Sequence, residues 1–122
     1  MIANIASTSS AQISRKDRAL HVLPLHGKRD LDHFIRLPGG LHAADPDWIE
    51  PLRLERKMLL SSANPVFEHL RWQGFLAWRD GQPVGRISAQ VDQLEQTRDH
   101  SQGLGHFGFF DSVDDDAVAA AL

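Results

Sequence analysis

Two runs of residues, Trp72 to Trp78 and Val84 to Asp92, carry the two-residue period of β-strands, and Asp80-Gly81 lies between them. An Asp-Gly pair tolerates positive φ at both central positions of a two-residue turn, so the whole stretch predicts a tight antiparallel hairpin. In the return strand Ile87, Ala89 and Val91 share one face, and Arg86, Ser88 and Gln90 share the other. Such alternation fits an antiparallel sheet covered on one side.

The rest of the chain is arranged around this hairpin. Downstream, Gln93 to Gly105 is a polar connector with a helical turn around Leu94. His106 to Phe110 predicts a further strand, with Phe107 and Phe109 on one face and His106, Gly108 and Phe110 on the other. Gly108 leaves backbone open to close approach. Ser112-Val113-Asp114-Asp115 has the form of a capping box, opening a helix with Val118, Ala121 and Leu122 inward. Upstream, Ala19 to His26 predicts an edge strand, because Pro24 removes a ladder donor. Lys28 to Leu37 predicts an amphipathic helix with Asp30 in its first turn, stopped by Pro38-Gly39-Gly40. Trp48 and Ile49 form an apolar anchor, and Leu52 to Leu60 predicts a second helix with Leu52, Met58 and Leu59 inward. Asn64-Pro65 caps a short turn through Leu70.

A length of 122 residues allows at most one domain. Residues 1–18 are expected to be a flexible tail and residues 19–122 the domain. Thirteen basic against sixteen acidic residues give a net charge of −3, which argues against a nucleic-acid surface. The absence of cysteine excludes disulfides and thiolate ligands. No apolar run approaches the ~20 residues that span a bilayer, and the first twelve residues lack the form of a secretory signal. A cytoplasmic location without a membrane partner is therefore expected. The seven histidines contain no close ligand pair, so no metal site is expected. His100 and His106 flank the entry to the third strand, and Glu68-His69 reads as capping or packing. Arg86 reads as the partner of a local carboxylate such as Asp92. Gly103-x-Gly105 precedes a strand, so it is not a phosphate loop. A capped helix of about two turns at the chain end is marginal without a packing partner, so a fragment continuing beyond Leu122 is expected.

The predicted order is strand, helix, helix, hairpin, strand, capped helix. Five stretches accompany it: Asp45-Pro46-Asp47-Trp48 with Pro51-Leu52; Asn64-Pro65-Val66-Phe67-Glu68-His69; Phe75 to Gly81; Val84 to Ala89; and Phe107-Gly108-Phe109-Phe110-Asp111 with Asp114-Asp115. Together they resemble the N-terminal half of the GNAT-type N-acetyltransferase fold, as it occurs in a larger bacterial GNAT-like family. The resemblance implies an α+β, mainly antiparallel, truncated domain over residues 19–122. It implies acyl transfer from acetyl-CoA or another acyl-CoA to an amine by direct attack, with 122 residues too few for turnover. The expected partners are a small-molecule acyl donor and an amine acceptor, with a homodimer as one arrangement. In the family the fourth strand pairs with the pantetheine arm, and the pyrophosphate lies over the following helix N-terminus. That places cofactor contacts at Phe109, Phe110, Asp111, Ser112 and Ala117. The resemblance assigns no catalytic residue. The family's loop pattern, Arg or Gln followed by spaced glycines, falls here on Asp114, Ala117 and Ala119. Like charges at ~4 Å repel by about 4 kcal/mol at an effective dielectric of 20. A non-catalytic GNAT-like module binding a ligand or partner is the alternative.

Overall fold

The computed structural model describes residues 19–98 and 104–122. The expected tail, His100 and Gly103 lie outside the described residues. The elements are β1 (Leu20–Pro24), α1 (Gly27–Leu41), α2 (Arg53–Leu59), a 3-10 turn (Pro65–Glu68), β2 (Leu70–Arg79), β3 (Gln82–Asp92), α3 (Gln93–Arg98), β4 (His106–Ser112) and α4 (Asp116–Ala121). All strand pairs are antiparallel in the order β1-β2-β3-β4. The class is α+β, consistent with the N-terminal half of a GNAT-like fold.

The hairpin forms as its sequence predicts. Arg79 faces Gln82 across the turn, with Asp80 at φ 51 and Gly81 at φ 75. β1 is an edge strand paired to β2, and Asn64 Oδ1 caps the 3-10 turn by accepting from the Val66 N–H at 3.1 Å. In the first turn of α1, Asp30 Oδ2 accepts from the His26 N–H at 2.8 Å. The core lies between α1 and one sheet face. Phe34, Leu37 and Leu76 form its centre, ringed by Leu25, Leu41, Leu60, Trp72, Trp78 and Phe109.

Three expectations fail, each for a local reason. First, α1 does not stop at Pro38 but runs to Leu41. Proline lacks an N–H, so the Phe34 carbonyl loses its helical partner at that point. Arg86 on β3 replaces it: its Nη1 donates to the Phe34 oxygen at 2.7 Å. Second, the polar face of β3 is the one turned to the helix, with Ser88 fully buried and Arg86 9% exposed. The apolar face bears Ile87 and Ala89. With Val22, Leu23, Phe75 and Phe107 these line a groove of about 700 Å³. α4 packs on that second face through Val118, over Gly85, where a Cβ would lie 2.8 Å from Leu122 Cδ1. Third, Leu52, Met58 and Leu59 do not point inward; they are 65%, 65% and 43% exposed, and Ile49 is 87% exposed. α2 has only seven residues and buries none of them; its neighbour Leu60 makes the core contact.

Arg86 also does not meet Asp92. Six residues along a strand is about 20 Å, beyond side-chain reach. Asp92 instead accepts from His69 Nδ1 at 3.1 Å and from the Leu94 N–H at 2.9 Å, tying the start of β2 to the end of β3. Partial burial works against ionisation of Asp92. The hydrogen bonds from His69 and from the Leu94 and Glu95 amides outweigh it and hold the carboxyl below its ordinary value. A depressed carboxyl adds stability that is complete above its unfolded pKa of about 4 and is lost as pH falls through the folded pKa. His69→Ala is therefore expected to lose this stability in full near neutrality and to converge on the wild type as pH falls below about 4; urea denaturation compared at neutral and acid pH checks this.

Candidate functional site

β4 is interrupted at its middle. Gly108 faces Ser88 and Asp111 faces Arg86, so Phe109 and Phe110 together stand opposite Ile87. This is a β-bulge, which breaks the ladder and re-aims side chains. Phe109 adopts φ 51. A non-glycine residue there costs on the order of 1–3 kcal/mol and persists when its surroundings fix it. Phe109 is fixed by the Phe34 ring at 5.7 Å and by two guanidinium groups, Arg86 at 5.2 Å and Arg56 at 5.6 Å from its centroid. The bulge also corrects the expected face pairing. Phe109 joins the core, while Phe107 lies on the opposite face and is 74% exposed.

Beside the bulge sits a charged relay. Arg86 Nε and Nη2 both reach Asp111 Oδ2, at 2.9 and 2.8 Å. Burial pulls the Arg86 guanidinium below its ordinary pKa, and Asp111 opposes that pull. A guanidinium remains protonated regardless. Asp111 Oδ1 is left for His42, whose Nε2 lies 3.6 Å away. His42 is the C-cap residue of α1: its N–H donates to the Pro38 carbonyl at 2.9 Å, and its own carbonyl accepts from the Asp45 N–H at 3.0 Å. Its ring stacks on Trp48 at 4.9 Å and 28°. The Trp48 anchor is thus used on His42. Beside this loop, a Cβ on Gly39 would lie 2.8 Å from Glu50 Oε1, the end of a flexible side chain that can shift.

The helix start differs from the expected capping box. Asp115 is the N-cap, its Oδ1 accepting from the Ala117 N–H at 3.0 Å. Ser112 Oγ turns to the Val113 carbonyl at 2.7 Å. Asp115 Oδ2 accepts from Arg79 Nη1 at 2.8 Å, in a pair only 13% and 15% exposed. Among the described residues, Arg79 Nε and Nη2 are buried and find no acceptor. Of the three consecutive acids, only Asp114 and Asp116 face solvent.

The expected cofactor residues separate into two groups. Phe109, Phe110, Asp111 and Ser112 run along the bulged edge strand, with Phe110 47% exposed. Ala117 lies beyond, its N–H already bonded to Asp115. His106 pairs with Glu95 at 2.8 Å. Among the described residues no three His, Asp or Glu converge on a metal site, and no helix is long and apolar enough to cross a membrane. Sequence reasoning missed His42 and Arg79. Their partners lie 69 and 36 positions away along the chain, and no local pattern marks either pairing.

The chain is similar to two curated proteins. Protein YghO of Escherichia coli strain K12 is 47% identical over 95 residues, which are 78% of this chain and 24% of that protein. The bacterial ceramide synthase of Caulobacter vibrioides is 47% identical over 104 residues, 84% of this chain and 27% of that protein. No family model and no solved structure matches. The chain spans about a quarter of the length of the curated relatives it matches.

Proposed function

We propose that this chain forms the β4 half of a GNAT-like N-acyltransferase that joins a long-chain acyl group from acyl-CoA to an amine, a sphingoid base being the substrate class. The observation that carries the reading is the 47% identity to a protein named as a ceramide synthase. A ceramide is a sphingoid base acylated on nitrogen, so making one from an acyl thioester forms an amide and releases a thiol, with no redox step. The bulged edge of β4 supports the same reading. A cytoplasmic location goes with an acyl-CoA donor.

The residues fit the pantetheine arm and not the diphosphate. Among the described residues β4 pairs with β3 on one side only, so its other edge can pair with an extended ligand, and the bulge at Phe109 and Phe110 frees backbone groups there. At α4 the Ala117 N–H is already taken by Asp115. When bound, the thioester supplies an activated acyl carbon. The chain's own part is to position and polarise. Backbone N–H groups of β4 orient the acyl carbonyl, and donors held in place before reaction cost no reorganisation during it. The two guanidinium groups flanking Phe109 hold the bulge in shape.

Asp114 and Asp116 are exposed and Asp115 is structural, so replacing only the outer two isolates their charge. In calorimetry the full-length protein is expected to bind a long-chain acyl-CoA. Asp114→Asn/Asp116→Asn is expected to bind it on the order of 3- to 10-fold tighter, as for removal of exposed like charges. The occupied Ala117 N–H favours a second reading, a non-catalytic GNAT-like module. That reading predicts no acyl-CoA binding by either form.

A further inference from the structure

The amine that becomes an amide must lose a proton, and nothing in the resemblance or in the relatives' names assigns the group that takes it. We propose that His42 is that group, accepting the proton at Nδ1, with Asp111 as the positioning residue. This rests on the N-acyltransferase reading.

Four observations converge on it. His42 Nε2 faces Asp111 Oδ1 at 3.6 Å, just beyond direct hydrogen-bond distance. Catalytic hydrogen bonds are commonly longer before substrate binds. Asp111 is itself immobilised, because Arg86 holds its other oxygen twice and is anchored in turn on the Phe34 carbonyl. A carboxylate facing one ring nitrogen fixes the N–H there and leaves the other nitrogen basic. The ring is clamped from a second direction by Trp48, and its backbone is bonded on both sides. The side chain is still 40% exposed, so a substrate can approach the ring. Finally, Asp111 follows the bulge directly, which brings His42 to the backbone that would hold the acyl carbonyl. The other histidines of the sheet region lack this setting. His69 is bound to Asp92 and His106 to Glu95, each away from the bulge.

The proton balance is simple. The nitrogen lone pair forms the C–N bond as the C–S bond breaks; one amine proton passes to Nδ1 and from there to the departing thiolate, giving amide and thiol. A histidine serving only as a helix cap and stacking partner would need neither a fixed tautomer nor a free Nδ1.

The test has two arms. In long-range ¹H–¹⁵N NMR of the wild-type protein, the neutral His42 ring is expected to be the Nε2–H tautomer; an Nδ1–H tautomer overturns the assignment. In the full-length protein, His42→Ala and the hydrogen-bonding variant His42→Gln are expected to lower kcat by about 10²–10⁴-fold. Acyl-CoA binding should be unchanged in both, and added imidazole should restore part of the His42→Ala rate. Undiminished transfer in His42→Gln, or loss of acyl-CoA binding in either variant, overturns the inference alone. A wild type that binds acyl-CoA but acylates no amine removes the underlying reading and the inference with it.

Discussion

Arg86→Met is expected to destabilise the domain by about 3–5 kcal/mol, the usual cost of removing one partner from a buried ion pair. Against a typical total of about 5–15 kcal/mol, that leaves a marginal fold. The loss has two sources. Asp111 Oδ2 is stripped of both its guanidinium bonds, and the Phe34 carbonyl is left without a donor inside α1. The second source can be isolated, because Pro38 is what deprives that carbonyl of its helical partner. Pro38→Ala supplies an N–H in the right place. Arg86→Met/Pro38→Ala should therefore recover about 1 kcal/mol over Arg86→Met, the net worth of one hydrogen bond. Urea denaturation of the four proteins in this cycle measures it. Strict additivity would mean that Arg86 is not the surrogate donor.

Phe34→Ala is expected to cost a further comparable amount, about 3–5 kcal/mol, as for other buried aromatic truncations. Phe34 is fully buried, with its ring edge-on to Trp72 at 5.5 Å, tilted against Phe109 at 5.7 Å and 5.0 Å from the Arg86 guanidinium. It touches the core and the bulge at once. Its removal should therefore release Phe109 from its positive-φ conformation as well as open a cavity. The ¹³C shifts of Phe109 read the first effect, and urea denaturation reads the second. A loss below 1 kcal/mol would place the core elsewhere.

These residues also show what the sequence could reveal. The hairpin, the edge strand β1, the Asn64 cap, the turn around Leu94 and the element order follow from local chemistry: an Asp-Gly turn, a proline in a strand, an amide before a proline. The failures are long-range. Pro38 reads as a stop because the rule counts the lost helical bond, and the replacement donor sits 48 positions later on β3. Arg86, Ser88 and Gln90 read as the wet side of a sheet, yet Arg86 is needed inside to bind the Phe34 carbonyl and Asp111. Phe109 reads as a partner of Phe107 on one face, and a single extra residue in β4 reverses it. Of the candidate site, the edge strand and Asp111 were legible through family resemblance. His42 was not, because its role depends on a carboxylate brought to it by the sheet.

The charge balance around α4 has the same character. Asp114, Asp115 and Asp116 put three acids in a row at the start of α4. Asp115 is in fact committed to Arg79 and to the Ala117 N–H, so only the outer two carry free charge into solvent.

The central claim is amide formation from an acyl thioester. It is tested most directly by incubating the full-length protein with a long-chain acyl-CoA and a sphingoid base, and following product by mass spectrometry and free thiol by absorbance. The expected result is an N-acylated base and CoA thiol in equal amounts. Neither product at saturating concentrations of both substrates would contradict the claim.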